Sequence, residues 1–237
     1  MSRTDRVARP PRLVPGDQAA ARSFIRANTR LLAPPLVPEI GLHLAEESLA
    51  VWQRTEEELG QMNVPPPYWA FAWAGGQALA RYLLDSPAAV AGRAVLDLGC
   101  GSGLTAIAAR RAGAVRVLAA DIDPLALAAV GLNAQANGVV IETTAEDLLA
   151  HAPAEGFQVI LVGDLFYERQ LAERVSAFID AAGANGAAIL IGDPQRNYFP
   201  RDRFEAVAGY DVPVTLELED ALVKSTTVWR WRPQRAG

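Results

Sequence analysis

The stretch Val95-Leu96-Asp97-Leu98-Gly99-Cys100-Gly101-Ser102-Gly103 decides the fold, together with Ala120-Asp121-Ile122-Asp123-Pro124 downstream. An apolar strand runs into a glycine-rich turn, and a helix opens behind it. A second strand then ends on a carboxylate, Asp121. A nucleoside-bearing cofactor needs this geometry. Glycines let the backbone approach the ligand, and a strand-end carboxylate accepts hydrogen bonds from ribose hydroxyls. Gly99, Gly101 and Gly103 have the spacing G-x-G-x-G, not the G-x-G-x-x-G of dinucleotide binders. Asp97, two residues before the first glycine, is a poor neighbour for a pyrophosphate and a good one for a cationic amino-acid head. These features favour S-adenosylmethionine, with S-adenosylhomocysteine as product, over NAD.

Outward from this core, strands and helices alternate. Strands are expected at Ala94 to Leu98, Val115 to Ala120, Val139 to Thr143, Phe157 to Val162 and Ala187 to Ile191. The run from Phe157 to Val162 is almost continuously apolar, as a central parallel strand should be. Helices are expected at Gly76 to Leu84, Leu104 to Ala112, Asp123 to Asn137, Arg169 to Ala182 and, briefly, Arg203 to Ala208. Asp123-Pro124 reads as a cap followed by proline at the first helical position. Val212 to Leu218 and Lys224 to Trp231 read as two strands joined by a turn at Glu219-Asp220. The expected class is α/β: a Rossmann-like, mostly parallel sheet with helices on both faces and a C-terminal antiparallel hairpin.

Ahead of that domain, three regions are expected. Residues 1–15 carry Arg3, Arg6, Arg9 and Arg12 but no apolar core, so they read as a disordered tail and not a secretory signal. Residues 16–66 read as a mostly helical extension, with one amphipathic segment from Ala19 to Leu32 and another opened by Pro38-Glu39. Pro65-Pro66-Pro67 is a stiff connector, because each proline fixes its own φ and biases the residue before it. The methyltransferase-like domain then runs from 67 to 237.

At 237 residues and 51% apolar composition the chain has ample material for one α/β core. A net charge of -5 argues against a nucleic-acid partner, which needs a basic face. No apolar run approaches the length of a membrane span, so no membrane partner is expected. The single cysteine excludes an internal disulfide and a cysteine-rich zinc site, and the two histidines stand apart, so no metal is expected.

The chemistry-bearing candidates fall at strand ends. Asp97 would reach the amino group of a methionine moiety, and Asp121 the ribose hydroxyls; Asp123 reads as the helix cap. Asp147, after the third strand, would accept from an adenine amine, unless it is a solvated loop acid. Asp164, in Gly163-Asp164-Leu165-Phe166-Tyr167, follows the fourth strand and would stand beside the transferred methyl group; otherwise it caps the next helix. The Asn-Pro-Pro-Tyr tetrad of amide and adenine N-methyltransferases is absent. A carboxylate followed by aromatics suits an amine nucleophile instead, with Asp164 holding an N–H and aiming the lone pair. Positioning is the larger expected effect. Phe166 and Tyr167 would meet the substrate. The aromatic cluster from Tyr68 to Trp73 is core or a lid; Trp73 is its expected contact with the site. Asp193 and Arg196 after the fifth strand form either a simple turn or a substrate-side pair.

On these residues the chain resembles the electron transfer flavoprotein beta-subunit lysine methyltransferases, a branch of the seven-β-strand, class I methyltransferases. The matching segments are Pro67-Tyr68-Trp69-Ala70, Trp73-Ala74-Gly75-Gly76-Gln77-Ala78-Leu79, Arg81 to Asp85 and the glycine loop. Asp121-Ile122-Asp123-Pro124, Gly163 to Tyr167, Leu190 to Arg196 and Ser225 to Trp229 complete them. The resemblance implies a seven-stranded twisted sheet, S-adenosylmethionine as donor and lysine side chains as acceptors. Its Asp-x-x-aromatic element falls on Asp164 to Tyr167. It implies the beta subunit of electron transfer flavoprotein as partner, in the bacterial cytoplasm or, in a eukaryote, the mitochondrial matrix. The chain departs at Ala74, where proline is expected, and in its longer N-terminal tail. The rival readings are a small-molecule, nicotinamide-like N-methyltransferase, an NAD-dependent oxidoreductase, and a catalytically silent binding module.

Overall fold

The structure, a computed structural model, describes residues 17–45, 66–153, 155–214 and 221–232. Helix α1 spans Gln18–Asn28 and a small antiparallel pair follows, β1 (Arg30–Leu32) and β2 (Leu42–Leu44). The main domain then runs α2 (Ala74–Asp85), β3 (Ala94–Leu98), α3 (Leu104–Arg111), β4 (Arg116–Ala120) and α4 (Pro124–Ala136). It continues with β5 (Glu142–Thr144), β6 (Val159–Gly163), α5 (Arg169–Ala184), β7 (Ala188–Asp193), β8 (Phe204–Pro213) and β9 (Val223–Trp231). Seven strands form one sheet in the order β5-β4-β3-β6-β7-β9-β8. The pairs from β5 through β7 are parallel, whereas β9 runs antiparallel to both β7 and β8. The α/β class and the terminal hairpin are therefore as the sequence indicates.

Alternation along the central strands sends side chains to two cores. Val95 and Leu161 face α2 and α3, while Leu96, Ile160 and Val162 face α5. Helix α4 is apolar nearly all round, with Leu125, Ala126, Ala128, Ala129, Val130 and Leu132 buried. Such a helix must be covered on both sides. The sheet covers one side, and α1 covers the other through Ala21 and Ile25, which pack with Trp69, Ala70 and Phe71.

Amides lock this cover down. Asn133 is fully buried; its Nδ2 donates to the Ser102 carbonyl at 2.8 Å and its Oδ1 accepts from the His43 amide at 2.7 Å. Asn137 Nδ2 donates to the Gly41 carbonyl at 2.6 Å, and its Oδ1 accepts the Gly41 amide at 3.1 Å. One helix face thus holds the N-terminal pair and the glycine loop together.

Three local expectations are corrected. The first is that residues 30–44 are two strands and turns, not helix. The helix ends at Asn28, where Thr29 is extended and its hydroxyl donates to the Ile25 carbonyl at 2.6 Å. Leu42 and Leu44 are buried on either side of half-exposed His43, a period of two that the preceding prolines obscure. Second, residues 204–208 are strand, because pairing Phe204 with Trp231 and Ala206 with Trp229 overrides an alanine-rich segment's helical preference. Third, β5 starts at Glu142, not Val139, since its register places Glu142 opposite Leu118. The 1–15 tail, the continuation of the extension to residue 65 and the turn at Glu219-Asp220 lie outside the described residues. No helix among the described residues is long and apolar enough to cross a membrane.

Candidate functional site

The sheet order reverses between β3 and β6, and ligands of open α/β sheets bind beyond the carboxyl ends of strands at such a switch point. A cavity of about 460 Å³ opens there, lined by Leu98, Ala120 and Gly163 at the three strand ends and by the loops that follow them. Gly99 and Gly101 form one wall in left-handed conformations, at φ 64° and 49°. A Cβ on Gly101 would meet nothing nearer than the Trp69 backbone at 3.9 Å, so its left-handed φ, and not crowding, is what calls for glycine there. The Gly101 amide donates to Asp121 Oδ2 at 2.9 Å, and the Asp123 amide donates to Asp121 Oδ1 at 3.0 Å. Burial pushes the Asp121 carboxyl above its ordinary range, and these amides oppose that shift. Asp123 Oδ1 accepts from the Leu125 amide at 2.8 Å and caps α4.

Asp97 and Gly103 stand apart from the cavity wall. Asp97 is 1% exposed and points beneath the loop; its Oδ2 accepts from Thr105 Oγ1 at 2.6 Å and from the Ala106 amide at 3.0 Å. Burial lifts its carboxyl to about 7, with those two bonds pulling the other way. Gly103 serves packing, because a Cβ there would lie 2.9 Å from Val130 Cγ2.

The far wall is built by the ends of β6 and β7. Asp164 is 8% exposed and adopts φ 56°, a left-handed conformation that costs a non-glycine residue of order 1–3 kcal/mol and concentrates at functional sites. Its Oδ2 accepts from the Gly76 amide at 3.0 Å. Its Oδ1 accepts from Arg196 Nε at 3.1 Å and Nη2 at 2.7 Å. The Asp164 amide donates to the Gly192 carbonyl at 3.1 Å, so the residue is fixed at both ends. Asp193 is fully buried outside the cavity wall, and its Oδ1 accepts the Arg196 amide at 2.7 Å. It acts on the site through Arg196 rather than as a wall of its own. Phe166 is corrected: it is fully buried and packs edge-on against Phe199, with ring centroids 5.1 Å apart, so it faces the core and not a substrate.

The mouth is aromatic. Tyr167 and Tyr68 are each about half exposed and tilt together with centroids at 5.9 Å; Tyr68 meets Trp73 edge-on at 6.0 Å. Trp73 Nε1 donates to the Tyr68 carbonyl at 2.9 Å. At the opposite end, Asp147 pairs with Arg174 at 2.6 Å, both partly exposed. Asp121, Asp147, Asp164, Tyr167, Trp73, Arg196, Gly99 and Gly101 therefore share one cavity.

Sequence reasoning missed Ile122 and Leu148, which form apolar wall beside Asp121 and Asp147. Ile122 is 70% exposed, and an apolar residue wedged between a strand-end acid and a helix cap was the available signal. Leu165 was missed as well: its Cδ atoms lie 2.7 Å from where a Gly99 Cβ would stand, so it closes the floor against the glycine loop. Arg174 gave no signal, since only the fold brings it to Asp147. Among the described residues no group of three or more His, Cys, Asp or Glu could hold a metal ion.

The family model for ribosomal protein L11 methyltransferase (PrmA) matches residues 78–165, from α2 through the glycine loop to just past Asp164. Over nearly its whole length the chain is similar to electron transfer flavoprotein beta subunit lysine methyltransferases. Identity to that of Danio rerio is 38% over 222 residues, covering 91% of this chain and 85% of the relative. It is 38% over 218 residues for Xenopus laevis, covering 90% and 87%. For Homo sapiens it is 34% over 218 residues, covering 90% and 82%. With likeness at that level over about nine-tenths of its length, the chain belongs to the electron transfer flavoprotein beta subunit lysine methyltransferase family.

Proposed function

We propose that the chain transfers methyl groups from S-adenosylmethionine to lysine side chains of the beta subunit of electron transfer flavoprotein. One observation carries this reading: a single cavity joins the Asp121–Ile122–Asp147–Leu148 end to Asp164 and an aromatic mouth that opens to solvent. The first end suits a nucleoside, with carboxylates for hydroxyl and amine donors and aliphatic surface for a purine face. The bare glycine wall suits the close approach of a cofactor chain. Within the same cavity, Gly99, Gly101, Asp121 and Asp147 would hold S-adenosylmethionine; when bound it supplies an electrophilic methyl group on a sulfonium.

The residues of the mouth handle the acceptor. A lysine side chain is long, thin and cationic in water, and aromatic faces attract it. Tyr68, Trp73 and Tyr167 form the seat and displace water from the amine. Asp164, already held by Gly76 and Arg196, accepts an N–H and fixes the direction of the nitrogen lone pair. Orientation of this kind contributes more than acid–base chemistry to a displacement at carbon. Both tyrosines are half exposed, which suits a side chain presented on a polypeptide better than a sealed small-molecule pocket.

The test is incubation with labelled methyl donor and purified electron transfer flavoprotein, followed by peptide mapping. The expected result is label on lysines of the beta subunit, absent with Asp164→Ala although donor still binds. Label appearing on free nicotinamide and none on the protein would establish the small-molecule reading instead. Tight NADH binding without donor binding would move the chain to the oxidoreductases.

A further inference from the structure

We propose that Arg196 is a positioning residue that neutralises Asp164, so that the site holds its target lysine as the free amine rather than as ammonium. This rests on the methyltransferase reading above.

A lysine nitrogen can accept a methyl group only after it has released its proton to solvent and freed its lone pair. An isolated carboxylate beside it works against that step, because a neighbouring negative charge stabilises the ammonium form. Asp164 is not isolated. Two nitrogens of Arg196 converge on its Oδ1, and both partners are mostly buried and line the cavity. A guanidinium keeps its charge at any working pH. Asp164 therefore presents a hydrogen-bond acceptor whose negative charge Arg196 offsets. Arg196 also lies 5.9 Å from the Trp73 ring, so a cation already stands beside the aromatic mouth.

The backbone shows how strongly this arrangement is imposed. Among the described residues only two non-glycine positions have positive φ: Asp164 at 56° and Gln195 at 65°. One is a member of the pair and the other immediately precedes its partner. The Asp193 carboxylate holds the Arg196 amide at 2.7 Å and so sets the strained turn that aims the guanidinium. A surface salt bridge of ordinary kind needs none of this.

Other ionisable groups border the pair. Asp193 packs behind it, and burial raises the Asp193 carboxyl to about 7. Tyr68 and Tyr167 stand at the mouth; burial moves the Tyr167 phenol upward, away from the working range. Across the cavity are Asp121, Asp123, Glu146 and the Asp147–Arg174 pair. Among these groups the one cation is Arg174, and it pairs with Asp147.

The test compares wild type, Arg196→Gln and Arg196→Lys. The pH dependence of kcat reports groups in the substrate complex, and that of kcat/KM reports free enzyme and free substrate. Arg196→Gln should move the limb of kcat governed by lysine deprotonation upward by at least about one pH unit, the size of shift that one neighbouring charge produces. The kcat/KM limb set by the free lysine should stay in place, and Arg196→Lys should restore most of the kcat limb. A fall in kcat by one factor at every pH, with the limb unmoved, means that Arg196 is merely structural and overturns the proposal.

A measurement on the unaltered protein covers the case in which Arg196→Gln does not fold. With S-adenosylhomocysteine bound, n-butylamine should bind more tightly as pH rises through its own deprotonation, while n-butyltrimethylammonium should not bind measurably. Equal binding of the two overturns the counterion role and leaves the methyltransferase reading standing. Failure of S-adenosylhomocysteine itself to bind removes both.

Discussion

Gly75→Ala isolates the contact on which the far wall depends. Gly75, in the first turn of α2, is pressed against the end of β7. An added Cβ would stand 2.2 Å from the Gly192 carbonyl oxygen and 2.5 Å from Asp164 Oδ2. Contacts of real Cβ atoms essentially never fall below 3.0 Å, so helix and strand must part by about 0.8 Å. The approach is close from both sides, since a Cβ on Gly192 would lie 2.0 Å from the Gly75 carbonyl oxygen. Overpacking against backbone costs typically about 1–3 kcal/mol, a lowering of Tm of several degrees for a domain of this size. Activity should suffer more, since Asp164 moves with the clash and a misplacement of about 1 Å can cost on the order of 100-fold. Gly76→Ala is the matched control: the next residue of the same helix has nothing within 4 Å of its Cβ position. It should be neutral or slightly stabilising, as Gly→Ala in a helix commonly is. Thermal melts and single-turnover transfer rates on both variants make the comparison. Wild-type Tm and rate in Gly75→Ala would show that the helix and strand are not in closest contact and would remove the reasoning.

Asp121→Ala deletes the strand-end carboxylate and the acceptor of the Gly101 amide; titration calorimetry should show donor affinity reduced by about 10- to 100-fold, as for loss of one or two hydrogen bonds to a charged group. Asp97→Asn bears on pH. The folded carboxyl titrates near 7 against 3.8 as the ordinary value, so the folded state holds the extra proton and gains relative stability at acid pH. Wild-type stability should therefore fall as pH rises from about 4 to 7 and level off above, and Asp97→Asn should flatten that slope in urea melts at several pH values; an unchanged slope contradicts the burial argument. Asn133→Ala should cost about 2–4 kcal/mol by orphaning the Ser102 carbonyl and the His43 amide, and hydrogen exchange should show the His43 amide deprotected.

Much of this site was legible because chemistry and chain direction coincide. Strand-end acids Asp121, Asp147 and Asp164 meet in one cavity because parallel strands all deliver their carboxyl ends to one side of the sheet. Asp97 was harder to judge: one residue along a strand reverses the facing, and it points to α3 with Val95 rather than upward. Phe166 and Tyr167 are adjacent and apolar enough to be confused, but the turn after Asp164 sends one into the core and the other to the mouth. The Asp164–Arg196 pair joins residues 32 apart in sequence, and Asp147–Arg174 joins residues 27 apart. No local pattern encodes such pairs; they exist only once the strand order is set. The edge strand at 204–213 was misread for a related reason, since its identity comes from β9 and not from its own residues.

The amide pair on α4 has a practical corollary for anyone trimming this enzyme. A shortened version starting at residue 66 would look like a complete catalytic unit on a topology diagram. It would nonetheless remove Ala21 and Ile25 from one side of α4, leave Asn133 Oδ1 without the His43 amide, and take the Gly41 backbone from Asn137. The loosened helix end would pass its slack to Ser102 and hence to the loop that cradles the ligand. The first elements are therefore better thought of as a splint than as an appendage, and the smallest workable enzyme has to keep them.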